Sequence, residues 1–170
     1  MIRNLRIREA GFTLLELMVV ITIAGMLTLG LVAFYLTCQA NWMDASTQAL
    51  AQRDATSIME AMREKTETAS RTGVYLAGGG KNSLLILYDH NGDEMGRFFW
   101  SPADSLIHYA VGSSPADDRG PLAPTKVERF SLHGDLDPNM AFVWVDTLRV
   151  HSTTGQQVQM SGGMALYNGQ

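Results

Sequence analysis

Cysteine is almost absent: Cys38 is the single one in 170 residues. No intrachain disulfide can form, which excludes a secreted disulfide scaffold, and a four-cysteine zinc module is excluded with it. Charge is also sparse, at 18% of residues against 46% apolar. Such a chain is neither a disordered tail nor an ordinary coiled coil. Basic residues do not outnumber acidic ones. The net charge of -4 argues against a strongly basic nucleic-acid binder. No proline precedes Pro102. No G-x-S-x-G elbow occurs, and His90, His108, His133 and His151 lie on separate segments without zinc-type spacing. They read as surface or turn histidines. Gly78-Gly79-Gly80-Lys81-Asn82-Ser83 approaches a phosphate loop and fails. Tyr75 stands where its first glycine belongs, and Asn82 where a hydroxyl residue must follow the lysine. A turn before a strand explains it.

The apolar residues are unevenly spread. Residues 1–11 carry Arg3, Arg6 and Arg8 against Glu9, a net charge of about +2. Ten basic and sixteen acidic residues remain beyond them. From Phe12 to Cys38 runs FTLLELMVVITIAGMLTLGLVAFYLTC, in which Glu16 is the sole charge. About 20 apolar residues suffice to cross the hydrocarbon as a helix. The arginines come first and no basic residue follows until Arg53. The positive-inside rule then puts the N-terminus in the cytoplasm and the C-terminal bulk outside it. The run is longer than the apolar region of a secretory signal, about 7–15 residues, and no A-x-A site follows. Tyr35-Leu36-Thr37 before Cys38 fits a lipoprotein signal poorly. A plain membrane anchor leaves Glu16 unexplained. A carboxylate at the bilayer centre costs about 2.5–3.5 kcal/mol on insertion scales. It calls for a partner, and the N-terminal amine of a staggered neighbouring subunit is an available one.

Gly11-Phe12-Thr13-Leu14-Leu15-Glu16, behind a short basic leader and ahead of an unbroken apolar helix, resembles the class III signal of type IV pilins and type II secretion pseudopilins. The resemblance covers about the first 35 residues. It implies that a prepilin peptidase cuts between Gly11 and Phe12 and methylates the new Phe12 amine. It also implies that Glu16 pairs with the Phe12 amine of an adjacent subunit during assembly. Implied partners are that peptidase, other pilins or pseudopilins, and an inner-membrane assembly platform with its ATPase. The implied location is the bacterial inner membrane, single-pass, with the C-terminal domain periplasmic or extracellular. Many major pilins carry a proline about twenty residues into the mature chain, and Ala33 stands there instead.

From Gln39 to Arg71 there is neither proline nor glycine, and good helix formers dominate. Met43, Ala45, Ala49, Leu50, Ile58, Met59, Met62 and Ala69 form a spaced apolar set. Arg53, Asp54, Glu60, Arg63, Glu64, Lys65 and Glu67 supply a wet face. One helix is expected from about Thr13 to Ser70, stopped by Gly73. Beyond it, strands are expected at Ser83–Tyr88, Met95–Trp100, Leu106–Val111, Val127–Leu132, Met140–Val150 and Gln156–Met160. Asn91-Gly92 marks a hairpin between the first two. Gly112–Thr125, rich in proline and glycine, reads as a loop.

The expected fold class is α+β and pilin-like: a long N-terminal helix whose second half packs against a small C-terminal antiparallel β-sheet. The segments are a leader (1–11), a transmembrane and assembly half of the helix (12–38), an exposed amphipathic half (39–71) and a β-rich globular region (72–170). No catalytic residue and no cofactor is expected. Asp135, Asp137 and Asn139 alternate like calcium ligands, but Met140 stands where the loop glycine belongs and Asp146 falls in a strand. Asp89, Asn91, Asp93 and Glu94 are weaker candidates still. The resemblance implies a minor pilin-like subunit or pseudopilin of a helical filament, with type II secretion favoured. The alternatives are a minor pilin of a type IV pilus, serving assembly, adhesion or DNA uptake, and an anchored domain that never polymerises. The negative mature charge argues against DNA uptake, since backbone binding needs clustered Lys and Arg.

Overall fold

A computed structural model describes residues 13–77, 82–133 and 142–166. It divides into two compact units, Met1–Met43 and Asp44–Gln170. Helix α1, Leu14–Thr68, supplies the described part of the first unit and opens the second. Thr13 begins it. The Glu16 backbone N–H donates to the Thr13 hydroxyl at 3.3 Å and carbonyl at 3.1 Å. This takes up one of the donors that a helix start leaves unpaired. Within the apolar stretch, the hydroxyls of Thr22, Thr28 and Thr37 donate to the carbonyls of Met18, Ala24 and Ala33 at 2.7–2.9 Å. Each of these hydroxyls is thus satisfied inside the helix, as hydrocarbon surroundings demand.

In the second unit the buried stripe of α1 is Ala51, Asp54, Ala55, Ile58, Met62 and Thr66. Steps of three and four residues put these on one face. The expected stripe is right at Ile58 and Met62 and wrong at its start. Met43, Ala45, Ala49 and Leu50 are exposed, and Ala51 and Ala55 are buried instead. Asp54 also leaves the wet face. It is buried because Thr125 Oγ1 and Arg53 Nη2 both donate to its carboxylate, which offsets its desolvation. The helix ends five residues before Gly73. Ser70 N–H then bonds the Tyr88 carbonyl at 2.9 Å, handing the chain to the sheet.

Eight strands follow: β1 (Arg71–Ala77), β2 (Asn82–Tyr88), β3 (Glu94–Ser101), β4 (Leu106–Ala110), β5 (Asp118–Pro121), β6 (Val127–His133), β7 (Phe142–His151) and β8 (Gln157–Ala165). Their order is β5-β4-β3-β2-β6-β7-β8, with β1 also on β2. Every pairing is antiparallel except β2 with β6. Two expectations need correction. Gly73 is no helix stop but lies inside β1 opposite Ile86. A Cβ there would come within 2.8 Å of the Tyr75 ring, so glycine lets that ring lie flat on its own strand. The stretch 112–125 is not a plain loop. It holds a 3-10 turn, Pro115–Asp117, and then β5. Ser114 Oγ accepts from Ala116 N–H, and the Asp117 carboxylate accepts from Ser114 N–H; this reciprocal cap fixes the turn. The Asn91-Gly92 hairpin is present, with Gly92 at φ +88.

The pairing of β2 with β6 is a seam between two groups of strands. One backbone register pair joins them, Asn82 with Phe130. Side chains supply the rest: Phe130 N–H donates to Asn82 Oδ1 and Leu132 N–H to Ser83 Oγ, both at 2.9 Å. Trp100 Nε1 adds a bond to the Val127 carbonyl at 2.9 Å. Both groups share one core with the helix, built on Ile58, Met62, Leu85, Phe98, Phe130 and Leu148, all fully buried.

His108 is buried on β4, not a surface or turn residue as the sequence implied. Its Nε2 and Nδ1 lie 2.8 Å from the carboxylates of Asp104 and Asp118. Two carboxylates facing two ring nitrogens require the imidazolium, since neutral imidazole has one N–H. Burial disfavours that charge, but hydrogen bonds to Asp104 and Asp118 outweigh it and raise the pKa above the ordinary histidine value. Burial likewise pushes Asp104 up, and the His108 hydrogen bond, aided by Leu106 N–H, brings it below the ordinary carboxylate value. The His108 contribution to stability is therefore full below the unfolded histidine pKa and is lost as pH rises through the raised value. That of Asp104 is present above its unfolded pKa and is lost as pH falls through the lowered one. His108→Gln should then flatten the alkaline-side decline in stability. Denaturation midpoints of both chains over stepped pH test this, and parallel profiles would refute the clamp.

Candidate functional site: the amino-terminal segment

The sequence places the chemistry of this chain at Gly11, Phe12 and Glu16. Gly11 and Phe12 lie outside the described residues. Glu16 is in the first turn of α1, exposed. Negative charge is favoured there by the unpaired N–H groups of the helix start. Among the described residues its carboxylate has no hydrogen-bond or ion-pair partner; only its backbone N–H is engaged, by Thr13. The side chain is thus an acceptor at the head of an apolar rod.

That rod is long and apolar enough to cross a membrane. Leu17, Met18, Val19, Val20, Ile21 and Ile23 near its start are each half exposed or more, and no described element covers them. Such a surface is stable in lipid or against other apolar helices. A carboxylate at its end can then form one directional contact while the remaining surface packs without direction.

The other candidates fall elsewhere. Asp135, Asp137 and Asn139 lie outside the described residues, and Asp146 is exposed on β7. Asp89 is occupied by its own turn. Its carboxylate accepts from Asn91 N–H at 2.8 Å, Asp93 N–H at 2.9 Å and Asn91 Nδ2 at 3.2 Å. The Asp93 and Asn91 hydrogen bonds hold its pKa below the ordinary value. Glu94 is held by Arg97 through two bonds of 2.6 and 2.9 Å. Among the described residues no cluster of three or more His, Cys, Asp or Glu is placed to hold a metal ion. Of the glycine-rich stretch, 78–81 lie outside the described residues, while Asn82 and Ser83 are buried at the seam. His90 and His133 are exposed, and His151 bonds Glu128 at 3.0 Å.

Sequence reasoning missed the capping role of Thr13. The signal was present as Thr13-x-x-Glu16, a capping-box pattern.

A family model described as the prokaryotic N-terminal methylation motif matches residues 6–32. No curated protein and no solved structure matches the chain. The matched stretch contains the leader arginines Arg6 and Arg8, Gly11, Phe12 and Glu16, and the apolar run as far as Val32. The chain carries a class III prepilin-type signal, followed by an α+β arrangement, one long helix and then a mostly antiparallel sheet, consistent with a pilin-like fold.

Proposed function

We propose that this pilin-type chain is a minor subunit of an inner-membrane-anchored helical filament, a pseudopilin of type II protein secretion. The carrying observation is Glu16: an exposed carboxylate with no partner among the described residues, in the first turn of a helix whose next charge is Asp44 and whose start the methylation signal overlaps. In this reading the precursor sits in the inner membrane with its basic leader in the cytoplasm. Prepilin peptidase removes residues 1–11 and methylates the Phe12 amine. The assembly platform, driven by its ATPase, then moves the helix from lipid to neighbouring helices. Glu16 pairs with the Phe12 amine of an adjacent subunit and fixes the stagger. Apolar contact alone has no preferred register, and one ion pair in poorly solvated surroundings supplies one. The proline-free helix and the lack of a C-terminal cysteine pair support a minor subunit over an adhesive major pilin.

Gly11 is the test of processing. The peptidase must close on the bond between residues 11 and 12, and a side chain at Gly11 obstructs it. Gly11→Trp, expressed beside a prepilin peptidase, should accumulate as uncleaved precursor. Intact-mass spectrometry reads the difference. A normal yield of chains beginning at Phe12 would remove the signal from the argument.

A further inference from the structure

The first unit ends in a feature that the filament reading does not use. Trp42 is 76% exposed on α1, a large apolar ring with a polar N–H. Tyr35 precedes it by seven residues, two helical turns and therefore nearly the same face, and is 64% exposed. Aromatic rings of this kind concentrate where hydrocarbon meets water, because one end is apolar and the other needs a hydrogen-bond partner. The first charge after Glu16 is Asp44, directly beyond this point.

Length decides what surrounds Trp42. A hydrocarbon core of about 30 Å takes about 20 helical residues at ~1.5 Å each. Residues 19–38 fill that length without a charge. From Glu16 to Trp42 the helix rises about 39 Å, against about 40–45 Å for a bilayer with its headgroup layers. When one of these residues lies in a headgroup layer, the other lies in the opposite one.

We propose that Trp42 seats in the phospholipid headgroup layer on the far side of the membrane and sets the depth of the helix, with residues 19–38 in the hydrocarbon and Glu16 at the cytoplasmic boundary. The proposal rests on the membrane-spanning reading and adds to it a register and a lipid contact. It also accounts for the tolerance of Glu16 before assembly. A carboxylate at the boundary keeps water, whereas one at the bilayer centre does not. The bond between Gly11 and Phe12 is then held on the cytoplasmic side.

The full chain is reconstituted in vesicles of phosphatidylcholine and phosphatidylglycerol and checked by flotation. Fluorescence quenching is compared between a nitroxide on the lipid headgroup and one near the acyl-chain end. Subtracting the signal of Trp42→Phe isolates Trp42 without disturbing Trp100 or Trp144. The headgroup nitroxide should quench Trp42 at least twofold more than the deep one. Leu27→Trp in the Trp42→Phe chain should show the reverse order. Stronger quenching of Trp42 by the deep nitroxide overturns the register. Free quenching by aqueous acrylamide places the ring in water and overturns the lipid contact. Shielding from all three quenchers means a protein surface covers Trp42, which overturns it too. In each of these cases flotation leaves the membrane-spanning reading intact; failure to float overturns that reading and the proposal with it.

Discussion

Glu16→Leu is expected to leave membrane insertion and cleavage after Gly11 unchanged and to cut incorporation into filaments at least tenfold. Insertion persists because the substitution removes a charge from an apolar stretch. The helix start also persists, because Thr13 is engaged by the backbone N–H of residue 16, which leucine retains. Incorporation falls because the Phe12 amine of the neighbour loses its partner where water is scarce. Breaking one side of such a pair costs about 3–5 kcal/mol, more than a hundredfold in an equilibrium at full burial. Partial access of water at the filament surface reduces this, hence the tenfold floor. Glu16→Gln keeps an acceptor without the charge and should fall between. Recovery of the chain in the sheared filament fraction, beside a processing control, is the measurement. Equal recovery of wild type and Glu16→Leu would mean that Glu16 does not register subunits, and the non-polymerising anchored domain becomes the better reading.

The second large effect is on the stability of the unit from Asp44 onward. Phe98 is fully buried, with its ring centroid 4.9 Å from that of Tyr109. Truncation to alanine removes apolar contact and leaves a cavity, at about 3–5 kcal/mol. Domains of this size hold only about 5–15 kcal/mol in total, so Phe98→Ala should lower Tm by roughly 10–20 °C. Phe142→Ala is the matched control. That ring is on β7 with Trp144 at 5.5 Å, but 45% exposed, and its loss should cost under about 1 kcal/mol. Thermal unfolding followed by circular dichroism separates the two. Equal shifts would mean that the core is not where the structure puts it.

Much of this was legible in the sequence where one physical signal dominated. The long uncharged run could only be a helix crossing something apolar, and Glu16 stood out in it because a lone charge there is costly. β2, β3, β6 and β7 were legible as short apolar runs set between turn signals such as Asn91-Gly92. The failures have separate causes. Ala51 and Ala55 are weakly apolar by composition, and only the approach of the sheet shows that small side chains are what that face requires. β1 was hidden because Gly73 has the character of a helix stop, and its packing against Tyr75 is not a sequence property. β5 was hidden because Gly120 and Pro121 read as loop residues, while a short edge strand tolerates both. The His108 clamp needs Asp118, which reaches it only through the pairing of β4 with β5. At the candidate site the sequence carried more than the fold could add, because Gly11 and Phe12 matter as peptidase substrate and not through contacts within the chain.

The seam at Asn82 and Ser83 has a mechanical consequence. On the proposed filament role the subunit is loaded, and load crossing the sheet must pass from one strand group to the other. Elsewhere it meets ladders such as β7 with β8, where eight register pairs share the force. At the seam it meets one register pair, two side-chain acceptors and the indole of Trp100. Each such hydrogen bond contributes only about 0.5–1.5 kcal/mol net. Under tension the two strand groups are expected to part there before the longer ladders within them open, each still packed on the same helix, so that a strained subunit yields along one line instead of unravelling.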